Sequence, residues 1–85
     1  TVIYTDTDIE KILENIKEYS RTLKDEEQTE LVTMLHEIQM SGKVENHMIF
    51  FDKHPILAMA FSAIVTWGID NGMDSLVNII SRVFE

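Results

Sequence analysis

The stretch Pro55–Ile69 carries no charged side chain and is apolar on nearly every side. Placed on a helix, it sets Ile56, Ala60, Ala63 and Trp67 along one line and Leu57, Phe61, Ile64 and Val65 along another. A helix that is hydrophobic all round belongs in the interior of a packed structure. The run is roughly 15 residues, short of the roughly 20 that a membrane-crossing helix needs, so no membrane partner is expected. It reads instead as the central helix of a bundle, about residues 55–70, with no face left for water.

The other segments are its wrapping. Residues 1–6 are a lead-in, polar and acidic where a signal peptide would be basic and then apolar. Thr7-Asp-Ile-Glu10 matches a capping box, and Ile9, Ile12, Leu13, Ile16, Tyr19 and Leu23 follow at helical steps. Asp25-Glu-Glu-Gln28 is read as a second box, opening a helix with Leu31, Met34, Leu35 and Ile38 on its buried stripe. Gly42 suits the left-handed position just past that helix. Residues 7–42 are thus expected to form an antiparallel helical hairpin. Residues 43–53 are ambiguous: Val44, Met48 and Phe51 recur at helical spacing, while Met48-Ile-Phe-Phe51 also fits a strand or a plugging loop, and a short helix is favoured. Pro55 opens the central helix, Asn71-Gly72 closes it, and an amphipathic last helix begins near Met73-Asp74. The expected fold is all-α, a single domain over 1–85 of four to five helices, with 54–85 an apolar helix pair.

A chain of 85 residues has a small core, and without cysteine nothing staples it. Stability must come from dense packing, from self-association, or from both, and a hydrophobic content of 45% is ample for packing. Lack of cysteine also removes disulfides, thiolate metal sites and a thiol nucleophile, which suits a reducing cytoplasmic setting. The net charge of −8 argues against nucleic acid, whose binding needs clustered Lys and Arg. Acidity fits a solvated coat or a basic protein partner. After His54 the only charged residues are Asp70, Asp74, Arg82 and Glu85, so the coat belongs to the first part of the chain.

Signatures of chemistry are sparse. His47 and His54 stand seven residues apart with Glu45 and Asp52 nearby, but the tighter H-E-x-x-H pairing of a zinc site is absent. Histidines at helix ends are the ordinary reading, and His36 fits a helix surface. The serines read as caps or surface residues, and no nucleophile elbow, P-loop or glycine-rich dinucleotide loop is present. A small metal-dependent enzyme is the least favoured reading; no catalytic residue, cofactor or metal is assigned.

Two clusters point to protein contacts. Asp25, Glu26, Glu27 and Glu30 form the densest charge in the chain, explained either by the helix dipole or as a patch steering a basic partner. Met48, Ile49, Phe50 and Phe51 hold more apolar surface than one short element readily buries: either both phenylalanines are core, or one faces outward to anchor a partner or a second copy, with Met48, Phe50 and Phe51 the candidate contacts. The expected function is that of a small acidic regulator or inhibitor working through protein–protein contacts. The alternative is an obligate homodimer or higher oligomer joined through the central or the final helix, with the arc Leu76, Ile80, Val83 and Phe84 of the last helix as the favoured seam.

Overall fold

A computed structural model describes residues 3–44 and 47–84. Its five helices are α1 (Asp6–Ser20), α2 (Asp25–Ser41), α3 (Met48–Lys53), α4 (Pro55–Asn71) and α5 (Met73–Phe84). They make an all-α bundle with no strand among the described residues.

Helix α1 begins a turn-half earlier than its Thr7 box implies. Thr5 is the cap: its hydroxyl accepts from the Asp8 amide at 3.2 Å, and the Asp8 carboxylate accepts from the Thr5 amide at 3.0 Å. The reciprocal bond holds the Asp8 carboxyl below its ordinary pKa. This frame puts Tyr4 just before the cap and Ile9 at the fourth helical position, the two positions of a hydrophobic staple. Ile9 is fully buried and Tyr4 packs against the core, which is the gain that the later start would forgo.

The second capping box is also corrected. Lys24 precedes α2 without a side-chain cap, so Asp25, Glu26 and Glu27 occupy the first turn and face the dipole. Gln28 turns backwards instead. Its amide donates to the carbonyls of Ser20 (2.7 Å) and Leu23 (3.3 Å), satisfying acceptors that the end of α1 leaves open. Gly42 ends α2 at φ 76, in the left-handed region, where an added Cβ would also lie 2.9 Å from the Met73 sulfur.

Helices α1 and α2 are joined by a short connection but do not form the extensive pair expected of a hairpin. The broad contacts run from α1 to α4 and α5, from α2 to α5, and from α3 to α4. Helix α5 thus stands between the first two. Across α4 and α5 the approach is close: a Cβ on Gly68 would fall 2.9 Å from a methyl of Leu76. Fifteen apolar side chains drawn from all five helices form one core, and among the described residues no polar or charged side chain is buried with them. The polar ties sit at the rim, where Lys17 Nζ donates to the Val83 carbonyl at 3.1 Å and Arg82 meets Glu10 at 3.0 Å.

Helix α4 is central, but it is not enclosed. Leu57, Phe61, Ala63, Ile64, Trp67 and Gly68 face inward. Ile56, Met59 and Ile69 are 66%, 75% and 78% exposed, contrary to the expectation of no wet face. Five helices in so short a chain supply too few neighbours to cover it.

Candidate groove between α2 and α3

Helix α3 is six residues long, too short to persist without tertiary support. A histidine stands at each end of it, His47 before Met48 and His54 after Lys53, and both reach α2. Glu27, Glu30 and Glu37 follow one another on α2 at three- and seven-residue steps, hence on one face. His54 contacts Glu27 through Nε2 at 2.5 Å, while His47 contacts Glu30 through Nδ1 and Glu37 through Nε2, each at 2.9 Å. The short helix is therefore pinned at both ends.

The two histidines are held differently. Both nitrogens of His47 face carboxylates, which only accept, so both must carry hydrogen and the ring is an imidazolium. Its partial burial pulls the pKa down, but the hydrogen bonds and charges of Glu30 and Glu37 outweigh this, and the value lies above the ordinary 6.5. His54 also meets the Tyr19 hydroxyl, at 2.8 Å from Nδ1, while its Nε2 donates to Glu27. The bond from His54 holds the Glu27 carboxyl below its usual range. With all four ring nitrogens engaged, neither histidine offers a lone pair to a substrate or a metal. His36 lies exposed on α2. Among the described residues no group of three or more His, Asp or Glu is placed to hold a metal ion; Glu45 lies outside them.

Between the pinned helix and α2 opens a groove of about 500 Å³ lined by Glu26, Glu27, Glu30, His47, Met48, Ile49, Phe50 and Lys53. Three walls differ in character. Glu26, Glu27 and Glu30 form an acidic side, with Glu27 and Glu30 already bonded to His54 and His47; Met48 and Ile49 form an apolar ledge, and Lys53 is a cation at the edge, in addition to the His47 ring. Met48 and Ile49 are 77% and 76% exposed and stand side by side on this wall.

The structure thus brings together Glu26, Glu27, Glu30, Met48 and Phe50, five of the seven residues expected to meet a partner. Asp25 lies outside, at a separate shallow depression along α2 that Gln28, Thr29, Val32 and Thr33 also line. Phe50 is corrected from anchor to core: it is 3% exposed and packs on the His54 ring at a centroid distance of 4.9 Å. Phe51 is half-buried against Phe61, at 5.7 Å, and is no free anchor either. Ile49 takes their place on the ledge. The expected seam on α5 is likewise corrected. Leu76 and Ile80 are 1% and 2% exposed within the chain's own core, while Val83 and Phe84 are partly buried against it.

No family model, curated protein or solved structure matches this chain. No helix among the described residues is long and apolar enough to cross a membrane. The site must be read from its own chemistry.

Proposed function

We propose that this protein is a small protein-binding regulator or inhibitor, and that the α2–α3 groove receives a basic amphipathic segment of its partner. The observation that carries the reading is the juxtaposition of the Met48–Ile49 ledge with the Glu26–Glu27–Glu30 wall. An apolar side chain of the partner covers the ledge, and a Lys or Arg beside it meets the acidic wall. The net charge of −8 steers such a partner from a distance and disfavours acidic competitors. Cysteine-free composition suits work in the cytoplasm.

Affinity capture with the full chain from a native source tests this, with Met48→Ser and Glu26→Lys as comparisons. Both positions are exposed, so the fold is retained. The wild-type chain recovers a partner whose contact segment is basic, binding weakens with added salt, and each variant loses the partner. Capture that is indifferent to both substitutions, or binding that strengthens with salt, refutes the proposal.

A further inference from the structure

We infer that His47 is a proton-dependent latch: with its ring protonated it fixes the first turn of α3 against α2 and forms the groove, and with its ring neutral that turn comes loose. The two pins of α3 differ in their partners. Both nitrogens of His47 stand 2.9 Å from carboxylates, on Glu30 and Glu37, and a carboxylate only accepts. A neutral imidazole has one donor, so losing the proton sets a ring lone pair against one of the two carboxylates. His54 is held otherwise. One of its nitrogens meets Glu27, but the other meets the Tyr19 hydroxyl, which rotates to donate or to accept. Its hydrogen bonds therefore survive in either state of the ring. Only the pin at the start of α3 answers to a proton.

Little else holds that turn. No side-chain cap closes the start of α3, and Met48 and Ile49 are 77% and 76% exposed, so packing contributes little there. The second half is anchored separately: Phe50 is 3% exposed in the core, Phe51 packs on Phe61, and His54 pins the end. Release is therefore local, and what it disperses is the Met48–Ile49 ledge. The charges around the ring set the direction. Glu30 and Glu37 face it from α2, with Glu26 and Glu27 farther along the same helix. Helix α3 adds Asp52 and Lys53, the connection before it carries Lys43 and Glu45, and α4 has no charge before Asp70. Partial burial works against the charged ring, but Glu30 and Glu37 outweigh it and keep the proton on to a pH above the ordinary 6.5. The latch is thus closed below about pH 6.5 and opens as pH rises through the folded value. It belongs to the free chain; where the groove receives a protein, as proposed above, the same proton governs that binding.

A nitroxide on Ile49→Cys reports the turn by electron spin resonance, and the chain has no cysteine of its own to take the label. The position is exposed, so the fold is retained. From about pH 5.5 to about pH 9.5 the fast-moving part of the spectrum grows against the slow part by about 5- to 30-fold. A label on Asp52→Cys, in the half of α3 that Phe50 and His54 hold, changes little. Glu37→Gln is the deciding variant, because an amide side chain donates as well as accepts. It pairs with the neutral ring, so in that background the Ile49→Cys label stays slow across the whole range, which a merely structural contact does not predict. An Ile49→Cys spectrum indifferent to pH, equal loosening at both labels, or loosening that persists in Glu37→Gln overturns the inference. Partner capture is read separately, so a working latch without a partner counts against the docking role and not against the latch.

Discussion

If His47 clamps α3 to α2 as an imidazolium, the protein loses stability as pH rises through the folded-state pKa, which lies above 6.5. The free-chain pKa is 6.5 and the folded one lies above it. The contribution is therefore complete below about pH 6.5 and disappears as pH climbs through the folded value. Two hydrogen bonds to charged groups would be worth about 1.5–3 kcal/mol each in a buried site. Here the Glu30 and Glu37 side chains are 40% and 33% exposed, so solvent screening reduces the pair to about 1–2 kcal/mol in total. In a domain of this size 1 kcal/mol moves the melting temperature by about 4–8 °C, giving a fall of about 5–15 °C between pH 6 and pH 9. Self-repulsion also grows with pH in an acidic chain, and His36 and His54 are present, so the comparison with His47→Gln is what isolates the clamp. Glutamine keeps one donor arm and no charge. Thermal unfolding followed by circular dichroism should give curves that differ at pH 6 and converge at pH 9. Parallel profiles for the two proteins would refute the imidazolium assignment.

Other consequences can be checked with the same instrument or by urea titration. Thr5→Ala should cost about 1 kcal/mol through loss of the α1 cap, whereas Thr7→Ala, inside the first turn and exposed, should change little. Phe50→Ala should destabilise by about 3–5 kcal/mol as a core truncation, and Met48→Ala by under about 0.5 kcal/mol, separating packing from ledge. Gly42→Ala should lose about 1 kcal/mol in urea from its positive φ, the Met73 side chain being free to swing aside.

The fold was legible where punctuation is unambiguous. Gly42, Pro55 and Asn71-Gly72 mark boundaries that the helices respect, and the three- and four-residue steps of α1, α2 and α5 name their buried faces. The start of α1 was not legible, because Thr5-Asp-Thr-Asp8 and Thr7-Asp-Ile-Glu10 are overlapping boxes. Only the burial of Tyr4 and Ile9 decides between them. Periodicity is silent for α4, where every face is apolar, and which face stays wet depends on how many neighbours the chain can supply. Of the groove, the sequence shows the acidic and apolar clusters but not their meeting. That depends on contacts 17, 10 and 27 residues apart, from His47 to Glu30 and Glu37 and from His54 to Glu27. The regular steps of Glu27, Glu30 and Glu37 were the available signal, hidden because charges on a helix ordinarily face water.

Gly68 and Leu76 meet with no room for one methyl group between them. Such a pair behaves as a single heritable character. A lineage that enlarges position 68 must re-seat or trim the side chain at position 76 or spread α4 from α5, and spreading them disturbs the surface of α4 along with the core. Among descendants of this sequence the two positions should therefore change together, small with large and large with small, while the exposed residues beside them drift one at a time.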